Sequence, residues 1–295
     1  KVSEMAKKLK FPLQCIGIPK TVDNDLPYTD CSPGFGSVAK YVAISTLEAG
    51  LDVKSMAETS TKVFILEVMG RHAGWIAAAS CLAASNQGDP PHIILLPEIP
   101  FERNKFIARV KKTVKKYGYC VIVASEGTKT KAGKFLADSG LTDAFGHKQL
   151  GGVAPVISSM ISKIGLKNHW AVADYLQRSA RHIASKTDLD QAYAVGVQAV
   201  KLAVAGKTAV MPVIKRLSDT PYKWQISTAP LKNIANIEKS VPRKFISKDG
   251  FAVTSAGRRY LNPLIQGEAP TNFKHGMPEV ALLKKSFVKK KLKKF

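Results

Sequence analysis

What most constrains the fold of this chain is a repeated change of period along it. Short, almost uninterrupted apolar runs alternate with longer stretches in which apolar residues recur at helical spacing. The runs are "LQCIGIP", "KVFILEV", "PHIILLP", "YCVIVASEG" and "TAVMPVI", and "HWAVADYLQR" reads as one more strand. The helical stretches between them include "SPGFGSVAKYVAISTLEAGLD", with a start at Ser32–Pro33, and "ERNKFIARVKKTVKKYG", closed by glycine. "VSEMAKKLK", "MGRHAGWIAAASCLAAS", "QLGGVAPVISSMISKIG" and "LDQAYAVGVQAVKLAVAG" complete the set. A strand that is apolar on both faces must be covered on both faces, and that is the condition of a parallel sheet between helices. The chain is therefore expected to be α/β, with parallel-rich sheets flanked by helices. Beyond about residue 215 the pattern weakens into Pro-, Lys- and Asn-rich loops with short helical pieces.

Charge narrows the partners. The 295 residues hold 45 Lys+Arg against 22 Asp+Glu, a formal net charge of +23. Such an excess favours anionic partners: phosphorylated metabolites, nucleic acid or an anionic membrane surface. A nucleic-acid-binding protein is the competing class. It predicts aromatics interleaved with Lys and Arg on strands, or a recognition helix, whereas the aromatics here are spread through core-like segments. "KKSFVKKKLKKF" reads as a solvated basic tail. "AGWIAAASCLAAS" is too short to cross a bilayer, so neither a membrane nor a nucleic acid is expected as partner. Cys15, Cys31, Cys81 and Cys120 lack zinc spacing and read as free thiols, Cys15 and Cys120 within strands. His72, His147, His169 and His182 are scattered without ligand spacing and read as structural or surface residues.

The strand ends are where the unusual polar residues fall. "LQCIGIP" stops at Lys20–Asp25, "KVFILEV" at Arg71, "CVIVAS" at Glu126 and "VADYLQ" at Arg178. In open parallel sheets ligands bind beyond the carboxyl ends of the strands. Arginines for phosphate, with carboxylates for hydroxyls or a metal, suit a phosphorylated polyol. "MGRHAG" also reads as a glycine-rich entry to a helix amino end, a natural anion site. Taken alone, Asp23–Asn24–Asp25 could be a simple Asx turn and Glu126 a helix cap.

Four segments in order, "GIPKTVDNDLPYTDCSPGFGSVAKYV", "KVFILEVMGRHAGWIAAAS", "VIVASEG" and "DYLQRS", closely resemble the 6-phosphofructokinase family. The resemblance covers roughly residues 1–215. It implies a two-lobed, cytoplasmic homo-oligomer that phosphorylates the 1-hydroxyl of fructose 6-phosphate with a Mg2+-bound phosphoryl donor. It implies Asp23 as catalytic base, Thr21 at the sugar and the transferring phosphate, and Asp25 near the metal. Met69, Gly70 and Arg71 match the sugar-phosphate loop, with Arg71 stabilising the transferring group. Glu126 matches the carboxylate that binds sugar hydroxyls, and Tyr175 and Arg178 the stretch that contacts the 6-phosphate. Lys20 matches the lysine of pyrophosphate-dependent members, whose ammonium can neutralise the leaving phosphate, although some ATP-dependent members share it. Lys62 stands where many ATP-dependent members carry an arginine that reaches a neighbouring subunit's substrate. The runner-up donor is ATP, and sedoheptulose 7-phosphate is a possible wider acceptor. Asp23, Arg71 and Glu126 together argue against a non-catalytic regulatory paralogue.

The same resemblance implies lobes. Residues 1–45 and 118–165 are expected in a larger, donor-side lobe, 46–117 and 166–225 in a smaller, sugar-phosphate-side lobe, and 226–295 in a C-terminal extension. The chain starts at Lys1 inside a helix, without methionine. The family's donor-binding G-G-D-[GD]-[ST] segment lies upstream of that helix, and no such cluster occurs in residues 1–295. The main metal ligand is therefore expected upstream of Lys1, and this stretch alone is expected to turn over little or no substrate.

Overall fold

The computed structural model describes residues 1–142, 148–150, 152–287 and 289. Its centre is a four-stranded sheet built from β1 (Val63–Val68), β2 (Ile93–Leu95), β3 (Cys120–Ser125) and β6 (Asn168–Val172), in the order β2-β3-β1-β6. All three pairings are parallel, with Val63 opposite both Cys120 and Asn168. The helices are α1 (Val2–Lys8), α2 (Phe35–Met56), α3 (Trp75–Ala79), α4 (Arg103–Tyr117), α5 (Val153–Ser162), α6 (Leu176–Ser179), α7 (Lys186–Val204) and α8 (Ser255–Leu261). Three antiparallel pairs lie outside the main sheet: β4 (Asp138–Thr142) with β5 (Lys148–Leu150), β7 (Val210–Asp219) with β8 (Tyr222–Pro230), and β9 (Phe273–Lys274) with β10 (Met277–Pro278).

The apolar runs do what their composition requires. Along β1 and β3, successive side chains point to opposite faces, and both faces are buried. Val63, Ile65, Cys120, Ile122 and Ala124 pack with Phe106 and Val110 of α4 and with Ile157 and Ile161 of α5. Leu66, Val68 and Val123 join the other core, with Val38 and Val42 of α2 and with Trp75 and Ile76. The strands therefore end sharply at one edge, with their carboxyl-terminal loops side by side.

Several expectations are corrected. "LQCIGIP" is not a strand: Ile16 makes a single parallel bridge to Val210, and Leu13 and Ile18 remain exposed. Cys15 is accordingly half-buried, while Cys31, Cys81 and Cys120 are buried free thiols. "HWAVADYLQR" divides into β6 and α6, because Asp174 takes a positive φ of 35° and turns the chain between them. The alanine-rich segment after β1 is only a five-residue helix followed by a 3-10 turn, Ser80–Ala83. α2 starts at Phe35 rather than Ser32, after Gly34 at φ 103°, and Asp188 of α7 accepts from the Gly34 and Ser37 N–H groups at 2.8 and 3.0 Å. The β7–β8 hairpin continues past residue 215, with Tyr222, Trp224 and Ile226 alternating toward the core.

The lobe boundaries also move. A boundary at 117/118 would run between β1 and β3, which pair over six residues in one sheet. Residues beyond 226 are not an appendage either, since Val241, Ile246, Leu261 and Leu264 are built into the core around α2 and α3. Their short 3-10 and helical pieces carry no long period, which is why they read as loop. Of the basic tail, Lys284, Lys285 and Lys289 are exposed, and residues 288 and 290–295 lie outside the described residues, as does His147.

Candidate active site

The site forms where the carboxyl-terminal loops of β1, β3 and β6 meet the acidic loop of residues 20–30. After β1 the chain turns through Met69–Gly70–Arg71, with Gly70 at φ 128°. β3 ends in Ser125–Glu126–Gly127 alongside it. The Ser125 hydroxyl donates to the Gly70 carbonyl at 2.6 Å, and the Gly127 N–H donates to the Ser125 oxygen at 3.2 Å. The Gly70 N–H points at Glu126 Oε1 at 3.4 Å. A Cβ on Gly127 would stand 2.1 Å from the Arg71 carbonyl oxygen, so only glycine lets the two turns approach this closely.

β6 adds the third wall. Tyr175 and Arg178 of the α6 turn are exposed, with the guanidinium 4.1 Å from the tyrosine ring centroid. The residue between them that sequence reasoning passed over is Gln177, which is buried. Its Oε1 faces the Met69 N–H at 3.4 Å and its amide donates to the Asp174 carbonyl at 2.9 Å, tying this turn to the arginine turn.

The acidic loop is held from behind. Asn24 is fully buried with φ 57°, its amide donating to Tyr260 Oη at 3.1 Å and its oxygen accepting from the Ser32 N–H at 3.0 Å. Thr21 Oγ1 accepts the Asp23 N–H at 3.1 Å, a local side-chain turn that still leaves its own hydroxyl proton free to donate. Flanking Asn24, Asp23 and Asp25 are half-buried and Lys20 is exposed.

Electrostatics tie the acidic loop, the arginine turn and the end of β3 to one space. Burial raises the Asp23 carboxyl above its ordinary value, and the neighbouring Asp25 carboxylate raises it further. Lys20, His72 and Arg71 oppose that shift. Glu126 is likewise raised by burial, with the Gly70 N–H and Arg71 pulling the other way and Asp23 adding to the rise. Asp25, Lys20, Arg71 and His72 therefore lie close enough to act on Asp23, and Asp23 and Arg71 act on Glu126 in turn, from three separate stretches of chain.

Two groups noted in the sequence have partners of their own. At the amino end of the helix after "MGRHAG", the Gly74 N–H is already taken, donating to Glu98 Oε1 at 2.9 Å. Lys62 does not reach outward: its ammonium donates to the carbonyls of Ala57 and Glu58 at the end of α2. Of the scattered histidines, His72 faces Glu238 at 3.5 Å, while His169 and His182 are exposed. A further histidine, His92, is buried: Nδ1 accepts the Val121 N–H at 3.0 Å, and Nε2 lies 3.1 Å from the Gly88 carbonyl oxygen.

Among the described residues no group of three or more His, Cys, Asp and Glu forms a metal cage. The half-buried Asp25 carboxylate nevertheless suits a magnesium-like ion, which keeps waters and takes one or two carboxylates together with substrate phosphate oxygens. No helix among the described residues is long and apolar enough to cross a membrane.

Comparison with known proteins gives the chain's family. The phosphofructokinase family model matches residues 1–203. A pyrophosphate–fructose 6-phosphate 1-phosphotransferase of Halomonas elongata is 63% identical over 296 residues, spanning 100% of this chain and 71% of its own length. The enzyme of that name from Methylococcus capsulatus is 56% identical, over 99% of this chain and 70% of its own. The crystal structure of a pyrophosphate-dependent phosphofructokinase from Marinobacter aquaeolei superimposes with a TM-score of 0.90 at 57% identity, covering 99% of this chain and 70% of that one.

Proposed function

The chain belongs to the phosphofructokinase family, and from that premise we propose that it transfers a phosphoryl group from pyrophosphate to the 1-hydroxyl of fructose 6-phosphate. The observation that carries the reading is the coupled cluster: an aspartate and a glutamate, each raised by burial, with Arg71 acting on both. Phosphoryl transfer asks a protein for positioning and charge stabilisation, plus a group to receive the hydroxyl proton.

Asp23 is the base. The 1-hydroxyl oxygen attacks the nearer phosphorus, its bond to the bridging oxygen breaks, and the hydroxyl proton passes to the Asp23 carboxylate. Arg71 faces the three equatorial oxygens of the group in flight, and Thr21 donates its free hydroxyl proton to the same group. Lys20 neutralises the departing phosphate. Glu126 accepts from the sugar hydroxyls, and Met69 and Gly70 form the floor beneath the sugar. Tyr175 and Arg178 hold the 6-phosphate, where a planar guanidinium matches phosphate geometry. Asp25, with donor oxygens and water, would hold the Mg2+ that offsets the donor's negative charge. The four-stranded sheet belongs to the lobe that carries the sugar phosphate.

Enzymes of this family generally use a divalent metal. A coupled assay with fructose 6-phosphate and Mg2+, run on the intact protein with pyrophosphate and with ATP, tests the donor. The reading expects kcat/KM with pyrophosphate to exceed that with ATP by at least 100-fold. A preference for ATP would overturn it.

A further inference from the structure

The acidic loop and the arginine turn are joined by a segment that belongs to neither, Glu238–Val241. Lys239 is its centre. Its backbone N–H donates to the Asp25 carbonyl at 2.7 Å, and its own carbonyl accepts the Trp75 indole N–H at 2.7 Å. Its side chain turns inward, and the ammonium donates to the Asp30 carbonyl at 2.9 Å, the Thr29 carbonyl at 3.0 Å and Asn24 Oδ1 at 3.3 Å. An ammonium has three hydrogens and here meets three acceptors, so none is left for a substrate phosphate. Nζ also lies 5.4 Å from the Trp75 ring centroid. Withdrawal from water pulls its pKa down to about 8.

Two further links run from the same segment to the arginine turn. Glu98 Oε1 accepts both the Val241 N–H and the Gly74 N–H, each at 2.9 Å. Glu238 faces His72 at 3.5 Å. One segment thus grips Asn24, Asp25, Thr29 and Asp30 on one side and His72, Gly74 and Trp75 on the other. Asp23 and Arg71 are each one residue away from a gripped position.

We propose that Lys239 is a positioning residue that sets the spacing between Asp23 and Arg71, an inference that rests on the functional reading above. Asn24 is held at φ 57°, a left-handed conformation that needs outside support, and Lys239 supplies part of that support. A base and a charge-stabilising group must both stay within a fraction of an ångström of their working positions, and a loop clamp of this kind provides that. The contacts assigned to the sugar hydroxyls and the 6-phosphate come from Glu126, Tyr175 and Arg178, none of which Lys239 touches.

The test is Lys239→Met in the intact protein, with its chain length kept and its charge removed. The expected result is a loss of at least 30-fold in kcat with the KM for fructose 6-phosphate within threefold. Amide hydrogen exchange across residues 24–30 is expected to be at least tenfold faster. A folded variant with kcat within threefold of wild type, or with its loss carried equally by KM, overturns the proposal. If Lys239→Met does not fold, Trp75→Phe decides: a fivefold or greater loss of kcat at unchanged KM supports the clamp, and wild-type kcat overturns it. An absence of wild-type turnover with either donor would instead sink the functional reading. The exchange measurement on residues 24–30 then still decides the clamp, unchanged exchange counting against it.

Discussion

Ser125 donates its hydroxyl to the Gly70 carbonyl at 2.6 Å, so the end of one strand carries the turn at the end of its neighbour. Ser125 is fully buried, and removing its oxygen leaves that carbonyl without this partner. Ser125→Ala is expected to cost about 2–3 kcal/mol of stability, because the buried Gly127 N–H loses its acceptor as well. Because Arg71 rides on the same turn, kcat is expected to fall by about tenfold. Thermal melts and steady-state kinetics on the one variant measure both effects.

Glu126→Gln keeps the shape of the side chain and removes its charge. A hydrogen bond to a charged partner contributes about 1.5–3 kcal/mol, so the KM for fructose 6-phosphate should rise by about 10- to 100-fold. Isothermal titration of the sugar phosphate in the absence of donor separates this from a change in the chemical step.

The pH profile should carry the mark of Asp23. Burial and Asp25 raise its pKa in the free protein, so the proton stays on to higher pH than on an ordinary aspartate. A base works only when ionised, and the acid limb of kcat/KM is therefore expected above the usual aspartate range. Initial rates at low concentrations of both substrates, where the free protein is the main species, locate the limb.

His92 makes a separate prediction, for stability. Burial first, and then Arg109, lowers its pKa from 6.5 to about 4. The unfolded chain takes up a proton as pH falls below 6.5, whereas the folded protein does not until about 4. Stability from this group is present above 6.5 and is lost between 6.5 and about 4, by on the order of 3 kcal/mol. Urea titrations across that range should show the slope, and His92→Gln should flatten it.

The sheet was legible because β1 and β3 are apolar on both faces, a pattern few other structures tolerate. The candidate site was legible in part because Arg71 and Glu126 follow abruptly on the apolar runs of β1 and β3. Lys239 was not, since it is a lone lysine in a loop whose partners are mostly backbone carbonyls. Gln177 was hidden inside a motif that drew notice for Tyr175 and Arg178. The β8 strand did carry a signal, the alternation of Tyr222, Trp224 and Ile226, but it lay among loop-like residues. The boundary near residue 118 failed for a different reason: strand order is a long-range property, and nothing local in Cys120–Ser125 says that its partner is Val63–Val68.

Asp23→Asn tests the central claim most directly, through single-turnover phosphorylation of fructose 6-phosphate in the intact protein. The account predicts a loss of at least about 1000-fold in rate, with sugar-phosphate affinity kept within threefold. Turnover near that of the wild type would contradict it.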